Sequence, residues 1–259
     1  MTQYQYKVSN ERLAKMYTDK NVLSEFYENT HFITEDNKLL RLKENQLEEV
    51  KPNRIWGIST KNNPEQALAL QDVLNDDIQL LAITGHAGTG KTFMALLGSL
   101  YLNRNVTFTR EIIQVGKEMG FLPGEVVDKF KPYMRPFFDN MEVIKENMDE
   151  LKFNKLMEKV NLTPLQFLRG GTERFTTLIV DEAQNCTVDT LKMAISRAGE
   201  GSKVILCGSM EQIDDKKLNK ESNGLAKVIK AFTGQKCFSH IHLHQDERSD
   251  LARLADILL

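Results

Sequence analysis

The stretch "LLAITGHAGTGKTFMALL", Leu80 to Leu97, decides the fold of this chain. Within it, Gly85, Gly90, Lys91 and Thr92 fit the pattern G-x-x-x-x-G-K-[ST], between an apolar run and a helix-like segment. The glycines let the backbone curl so that successive N–H groups face an anion, and the following helix adds its positive N-terminal end. The alternative is an ordinary Gly-rich strand-to-helix turn. Because all required positions and both flanks agree, the pattern favours a phosphate-binding loop.

The same stretch suggests how a nucleotide is held. Lys91 is placed to reach the β- and γ-phosphates, and the Thr92 hydroxyl to hold Mg²⁺. Gln66 lies just before a predicted helix upstream of the loop, where its amide could read adenine through paired hydrogen bonds. We therefore expect ATP and Mg²⁺ as cofactors. The residues expected to bind the nucleotide are Gln66, Gly85, His86, Ala87, Gly88, Thr89, Gly90, Lys91, Thr92 and Phe93.

A second motif, "TTLIVDEAQN" from Thr176 to Asn185, is an apolar strand that ends in two acids. Asp181 fits a Walker B carboxylate that holds Mg²⁺ together with Thr92, whereas Glu182 could polarise a water for attack on the γ-phosphate. Apolar strands that end in acids are common, so this motif gains its weight from the phosphate loop upstream. The adjacent acid pair favours hydrolysis over transfer to a bound substrate.

A third motif, "KVILCGSMEQIDD" from Lys203 to Asp215, is another apolar strand, and it ends at Gly208. Four residues later comes Gln212, a neutral amide that can sense a γ-phosphate or the attacking water. A polar loop after a strand is the plain alternative. The other two motifs favour the catalytic interpretation.

Apolar strand-like runs alternate with helical patterns from Trp56 onward. This alternation predicts an α/β fold with a parallel sheet and helices on both faces. The expected strands are Ile78–Thr84, Val106–Thr109, Thr177–Val180, Val204–Cys207 and Ser239–His244. A long helical insertion is expected from Gly120 to Arg169. Residues 1–52 are polar and mixed in charge, which predicts a small N-terminal appendage before the main domain, 53–259.

Composition narrows the class of protein. The chain has 259 residues, 41% hydrophobic residues and a formal net charge of -2, as globular proteins do, and this balance argues against a broad basic surface. Cys186, Cys207 and Cys237 are far apart without metal-type spacing, which is typical of reduced core residues in a cytoplasmic protein. No apolar run is long enough to cross a bilayer. We expect a cytoplasmic protein without a membrane partner.

Together these elements resemble superfamily 1 helicases, and in detail the PhoH family of ATPases. The blocks that carry the resemblance are WGISTKNNPEQ (56–66), GHAGTGKT (85–92), TREIIQVGKEMGFLPGEVVDKFKPYMRPFFDNM (109–141), FLRGGTERFTTLIVDEAQN (167–185), MAISRAGEGSKVILCGSMEQID (193–214) and RSDLARLADIL (248–258). The resemblance implies a RecA-like P-loop NTPase core, ATP hydrolysis, a hexameric ring and a link to RNA unwinding.

The chain departs from the family pattern at several positions. Ser209 stands where the family usually has Asp, which puts that loop's contact with the metal or its water in doubt. Longer relatives carry an RNA-cutting PIN domain in front. Residues 1–52 are too short for such a domain and resemble the linker that follows it, so we do not expect ribonuclease activity.

One RecA-like core supplies only one wall of an ATP site that helicases of superfamily 1 close between two cores. A second copy of the chain is the economical source of the other wall, with an arginine that stabilises charge on the γ-phosphate. Arg197 and Arg248 are the candidates for in-trans or sensor arginines, although either could be a surface or ion-paired residue. The expected catalytic residues are therefore Lys91, Glu182, Gln212, Arg197 and Arg248.

The segment "DKFKPYMRPFFDNM" (128–141) interleaves cations with aromatic side chains, as a sequence-tolerant groove for single strands requires. The alternative is an amphipathic helix packed on the core or on a neighbour, and the pattern slightly favours this alternative. The candidate contacts with RNA or single-stranded DNA are Arg110, Lys131, Tyr133, Arg135 and Arg169. "HIHLH" (240–244) puts three histidines on one strand face. A half-buried strand with a polar face explains this pattern, and we favour it over a metal site.

Three functions compete at this stage. The leading hypothesis is an oligomeric ATPase that couples hydrolysis to unwinding of, or movement on, RNA or single-stranded DNA. The second is an assembly or regulatory module whose slow hydrolysis only times partner binding. A small-molecule kinase is the third, and Glu182 beside Asp181 disfavours it because that pair suits hydrolysis.

Overall fold

The computed structural model describes residues 4–111, 131–168, 172–210, 212–213 and 223–245. Its strands are β1 (Gln5–Val8), β2 (His31–Thr34), β3 (Leu39–Lys43), β4 (Gln46–Val50), β5 (Arg54–Ile55), β6 (Ile58–Ser59), β7 (Leu80–Gly85), β8 (Asn105–Arg110), β9 (Val160–Pro164), β10 (Thr176–Asp181), β11 (Lys203–Gly208) and β12 (Phe238–Leu243). Its helices are α1 (Asn10–Thr18), α2 (Lys20–Leu23), α3 (Pro64–Leu74), α4 (Lys91–Tyr101), α5 (Arg135–Lys145), α6 (Glu150–Met157), α7 (Val188–Ile195) and α8 (Gly224–Phe232).

The main sheet has six strands in the order β12-β7-β11-β10-β8-β9, and every neighbouring pair is parallel. Side chains alternate between its faces, so Leu81 and Ile83 pack in one core with α3, α4 and α5, while Leu80 and Ala82 pack in another with α7 and α8. Apolar runs buried on both faces are typical of parallel strands. The predicted α/β fold class, a parallel sheet with helices on both faces, is confirmed.

The five predicted strands lie within one or two residues of the observed ones, but the predicted helical insertion is wrong in one part. Val160–Pro164 is a strand, β9, which pairs with β8 at the edge of the sheet. Its run is short and alternates weakly, with Val160 and Leu162 packing on the core and Asn161 exposed. Pro164 is tolerated because an edge strand has a free side. α5 and α6 are the helical part of the insertion that the structure describes.

Residues 5–50 form a four-stranded sheet of order β1-β2-β3-β4, in which β1 and β2 are parallel. α1 and α2 pack on it around a separate small core that includes Met16 and Phe32. This sheet contacts β12, the edge strand of the main sheet. The Asn29 amide donates to the carbonyl of Phe238 at 2.9 Å, and the Gln5 side-chain oxygen accepts from the His242 N–H at 2.6 Å. Side chains therefore satisfy backbone groups along this edge.

A buried polar network joins the two sheets through α3. The carboxylate of Asp72 lies 3.1 Å from His31 Nε2 of β2 and accepts from the Ser239 hydroxyl of β12 at 2.5 Å. Lys203, only 1% exposed, donates to the carbonyls of Asp72, Val73 and Asn75 at the end of α3, at 2.7 to 2.8 Å. Burial lowers the pKa of Lys203 to about 7. The network fixes α3, which carries Gln66 toward the phosphate loop.

The three cysteines carry free thiols. Cys186 and Cys207 are buried free thiols, and Cys237 is half-buried and also free. Burial raises the pKa of Cys186 well above its usual range, so this thiol stays protonated. Within the described ranges, no helix combines the length and the apolar character that crossing a membrane requires.

Candidate nucleotide site

The phosphate loop connects β7 to α4 in a conformation that demands glycine at its first position. Gly85 has φ +152°, and a Cβ there would lie 2.4 Å from the backbone oxygen of Leu243. Gly90, with φ +87°, is the N-cap of α4 and offers no side chain to the first N–H groups of that helix. These N–H groups point into the loop without a side-chain cap, which is the arrangement that binds phosphate.

Internal hydrogen bonds hold the loop in shape. The Thr89 hydroxyl donates to the His86 carbonyl at 2.9 Å, and Gln66 Nε2 donates to the Thr89 carbonyl at 3.1 Å. Lys91 Nζ donates to the carbonyls of Gly85 and His86 at 2.8 and 2.6 Å. The ammonium of Lys91 therefore lies inside the curl of the loop, where a phosphate oxygen can replace its carbonyl partners. Gln66 contacts the loop backbone, and its contact with adenine stays a prediction.

The Walker B acid lies directly beside the start of α4. The Thr92 hydroxyl donates to Asp181 Oδ1 at 2.7 Å, so a hydroxyl and a carboxylate converge at one point. Burial, together with the neighbouring Glu182 carboxylate, raises the pKa of Asp181 to about 6, and Arg110 opposes the shift. A buried carboxylate that repels its neighbour favours a bound cation. This oxygen set fits Mg²⁺, which prefers one or two carboxylates and a hydroxyl.

Glu182 is held from two sides. Its backbone has φ +51°, an uncommon conformation for a residue with a side chain. Arg110, at the end of β8, lies 3.5 Å from Glu182 Oε1 and 3.8 Å from Asp181 Oδ2. On the other side, Gln184 Nε2 donates to Glu182 Oε2 at 2.5 Å. The carboxylate is thus aimed by contacts from β8 and from its own strand end.

The third predicted motif, at the end of β11, lies at the same edge of the sheet as the phosphate loop and the two acids. β11 lies between β7 and β10, so its carboxyl end stands between the phosphate loop and the two acids. The carbonyl of Gln212 accepts from Gln184 Nε2 at 2.8 Å, and the Ser209 N–H donates to Gln184 Oε1 at 3.0 Å. The Gln212 side chain is exposed. The structure therefore brings together all three motifs that the sequence predicts.

A family model described as "PhoH-like protein" matches residues 58–255. The chain belongs to the PhoH-like protein family. The matched range contains the phosphate loop, both acids and the segment after β11. It begins in β6, so β1 to β5 precede it.

Curated PhoH-like relatives match over large parts of this chain. "Protein PhoH2" of Bacillus subtilis is 39% identical over 214 residues, which are 79% of this chain and 48% of that protein. "Protein PhoH2" of Mycolicibacterium smegmatis is 32% identical, over 75% of this chain and 46% of that protein. A "PhoH-like protein" of Synechocystis is 39% identical over 152 residues, 56% of this chain and 45% of that protein. The chain spans about half the length of the curated relatives that it matches.

Among solved structures, a Bacteroides Pif1 bound to ssDNA aligns with 73% of this chain and 44% of that chain, at 16% identity and a TM-score of 0.33. Similarity at this level is too low to support a conclusion about this PhoH-like chain. The identification above therefore depends on the family match and on the curated relatives.

Gln184 is the residue of this PhoH-like site that sequence reasoning missed. It is completely buried, and it joins Glu182 to the segment after β11. Its position two residues after Glu182 within "DEAQN" was visible in the sequence. Its partners after β11 were not, because they come close only when two parallel strands pair side by side.

The predicted arginines lie in different places. Arg110, expected at nucleic acid, lies against the two acids of the nucleotide site. Arg197 is near the opposite end of β10, where its carbonyl accepts from the Glu173 N–H at 2.8 Å. The length of β10 separates it from Asp181 by roughly 17 Å or more. Arg197 therefore does not line the nucleotide site of its own chain. Arg248 and Arg169 lie outside the described residues.

The candidate nucleic-acid segment of this PhoH-like chain is partly core and partly surface. Phe137 is fully buried on α5, as the packed-helix interpretation requires. Tyr133 and Phe138 are 37% and 39% exposed, and the Arg135 side chain is 83% exposed beside Asp139. The side chain of Lys131 lies outside the described residues. Phe137 therefore fits the packed-helix interpretation, and the contacts of this segment with nucleic acid stay a prediction.

The three histidines of β12 and its end each have a protein partner. The Thr84 hydroxyl lies 2.8 Å from His240 Nε2 and 2.9 Å from His242 Nδ1. His244 Nδ1 lies 2.7 Å from a carboxylate oxygen of Glu65, an acid far away in the sequence. In the described ranges, no group of three or more histidine, cysteine and acidic side chains could hold a metal ion.

Proposed function

We propose that this chain is a Mg²⁺-dependent ATPase. The observation that carries the proposal is the contact between the Thr92 hydroxyl and the buried carboxylate of Asp181, directly after the phosphate loop. A buried carboxylate is costly, and the neighbouring Glu182 adds like charge that Arg110, 3.8 Å away, offsets only in part. A divalent cation carried by a nucleotide satisfies both groups.

Each residue has a defined task in this proposal. The N–H groups of the loop and Lys91 bind the β- and γ-phosphates, and Thr92 and Asp181 hold the metal. Glu182 accepts a proton from the water whose oxygen attacks the γ-phosphorus. The bond between the γ-phosphorus and the oxygen that bridges it to the β-phosphate breaks, which gives ADP and phosphate. Gln212 is placed, after β11, to sense the γ-phosphate. Mg²⁺ supplies charge neutralisation between the phosphates when it is bound.

Hydrolysis is further proposed to be coupled to a single strand of RNA or DNA. Tyr133, Arg135 and Phe138 expose aromatic faces and a cation along one short segment. Base stacking on aromatic rings and phosphate contacts with arginine suit a strand without sequence preference. The alternative is a regulatory ATPase that does not bind nucleic acid. It predicts a hydrolysis rate that saturating RNA and single-stranded DNA leave unchanged.

The working unit is proposed to be a closed ring of this chain, with six copies as the family resemblance implies. The described residues around the two acids supply one nearby arginine, Arg110, and it faces the acids rather than the loop. A cation for the γ-phosphate then comes from a neighbour, with Arg197 and Arg248 as candidates. Arg197 lies far from its own site, as an in-trans residue should.

The central test is phosphate release from ATP with Mg²⁺, with and without single strands. Lys91→Ala should abolish it, while Lys227→Ala, at an exposed position of α8, should keep the wild-type rate. Glu182→Gln should bind ATP and hydrolyse it at least about a hundredfold more slowly. Near-normal turnover in either active-site variant would contradict the assignment.

A mixing assay tests the ring. Arg197→Ala subunits combined with Lys91→Ala subunits should recover hydrolysis, because some interfaces then join two intact halves. Arg248→Ala is tested in the same way. A protein that stays monomeric with ATP and Mg²⁺ while hydrolysing at its full rate would rule out shared sites.

A further inference from the structure

The amide of Gln184 is completely buried and makes three hydrogen bonds. Its Nε2 donates to Glu182 Oε2 at 2.5 Å and to the Gln212 carbonyl at 2.8 Å, and its Oε1 accepts from the Ser209 N–H at 3.0 Å. Both hydrogens of the amide are therefore used, and its oxygen is bonded too. A side chain so fully engaged has one orientation.

The three partners belong to two different strand ends. Glu182 follows β10, whereas Ser209 and Gln212 follow β11, the strand that lies between β10 and the phosphate loop. Gln184 is thus a direct hydrogen-bonded link between Glu182, the proposed general base, and the segment proposed to sense the γ-phosphate. A displacement of either strand end changes the geometry at the other.

The backbone of β11 makes room for this amide. A Cβ on Gly208 would lie 2.6 Å from Gln184 Oε1 and 2.7 Å from a methyl carbon of Leu225. Any other residue at position 208 would push the amide away from Ser209. The glycine that ends β11 therefore serves the Gln184 contact.

Glu182 needs such a support. Its left-handed backbone leaves the direction of the carboxylate to side-chain contacts, and the opposite oxygen faces Arg110 at 3.5 Å. Without Gln184, the attraction of Arg110 is unopposed and the carboxylate turns toward β8. A general base must keep its oxygen within hydrogen-bond reach of the water that it activates.

We propose that Gln184 is a positioning residue that aims Glu182 for catalysis and couples it to the Ser209–Gln212 segment. This inference rests on the proposed ATPase function. Gln184 itself does not touch the nucleotide. Its effect is on the rate of the chemical step and not on nucleotide binding.

The test uses Gln184→Met, which keeps the length of the side chain and removes its hydrogen bonds. The rate constant kcat of ATP hydrolysis should fall at least about tenfold, while the Kd of a fluorescent ATP analogue stays within about twofold. Gln235→Met, at an exposed position, should leave both unchanged. A loss of nucleotide affinity that accounts for the whole effect would overturn the proposal.

A double variant separates positioning from general structural damage. In the Glu182→Gln background there is no carboxylate to aim, so adding Gln184→Met should not lower the residual rate further. An equal loss in both backgrounds would overturn the positioning role. Gly208→Ala supplies a second route if Gln184→Met does not fold, because it displaces the amide without removing it, and it should lower kcat in the same selective way. If the unmodified chain releases no phosphate from ATP, the proposed function and the role of Gln184 both fail. If Gln184→Met and Gly208→Ala hydrolyse ATP with a normal kcat, only the role of Gln184 is overturned.

Discussion

His240 should make the folded protein sensitive to acid. It is 6% exposed on β12, with its ring 2.8 Å from the Thr84 hydroxyl just before the phosphate loop. Burial lowers the pKa of His240 from 6.5 to about 3, and the neighbouring His242 adds to the shift. Between these values the unfolded chain binds a proton that the folded chain does not. Stability conferred by the neutral ring is therefore lost as the pH falls below 6.5, and the loss levels off below about 3.

The size of the effect follows from the two pKa values. Lowering the pH from 8 to 4.5 should cost the folded state about 3 kcal/mol through His240. Asp181 acts in the opposite direction, because its pKa rises from 3.8 to about 6 on folding. Over the same pH range Asp181 should add about 2 kcal/mol to the free energy of unfolding. The contributions of His240 and Asp181 partly cancel, and Lys203, whose pKa falls from 10.5 to about 7 on folding, adds a further loss of about 1 kcal/mol, so the wild-type pH dependence alone is not diagnostic.

Urea unfolding followed by circular dichroism at both pH values, on three proteins, resolves the two contributions. His240→Gln removes the titrating ring and keeps a polar group near Thr84. Between pH 8 and pH 4.5 this variant should therefore lose less unfolding free energy than the wild type loses. Asp181→Asn removes the opposing effect and should lose stability more steeply in acid. A His240→Gln protein with the same change in unfolding free energy as the wild type would refute the reasoning.

Three further predictions concern other parts of the structure. Gly85→Ala should destabilise the fold by about 2 kcal/mol and abolish nucleotide binding, because its Cβ meets a backbone oxygen. Thermal unfolding measures the first effect and binding of a fluorescent nucleotide the second, and a normal melting temperature would contradict the prediction. Lys203→Met should cost about 3 kcal/mol in urea unfolding, since three carbonyls at the end of α3 lose their donor at about 1 kcal/mol each, whereas Lys227→Met should stay within about 0.5 kcal/mol. Arg135→Gln should reduce the slope of log affinity against log salt for a single strand by about one, and an unchanged slope would exclude Arg135 as a phosphate contact.

The phosphate loop and the central strands could be predicted because their signals are local. The loop needs glycine and lysine at fixed spacings, and a strand buried on both faces is a continuous apolar run such as Leu80–Gly85. The convergence of Asp181 and Gln212 was also predictable, since the carboxyl ends of parallel strands share one edge of the sheet.

The remaining features depend on contacts between distant residues. β9 is a short edge strand that carries little periodic signal of its own, and it becomes a strand because β8 offers a free edge. The N-terminal sheet pairs β1 with β2 across two helices. Arg110, a candidate contact for nucleic acid, lies against the acids at the end of the neighbouring strand, a contact that depends on the pairing of β8 with β10 and not on a local signal.

The N-terminal sheet has a practical consequence for anyone who trims the chain to begin near residue 53. The edge strand β12 would lose the side chains of Gln5 and Asn29, which now occupy its backbone groups, and Asp72 would lose His31. An open parallel edge invites pairing with another molecule. Assemblies of such a shortened protein could then form by pairing between exposed β12 edges and not by the head-to-tail contacts of a ring. Size measurements on this protein should therefore be made with the N-terminal sheet in place.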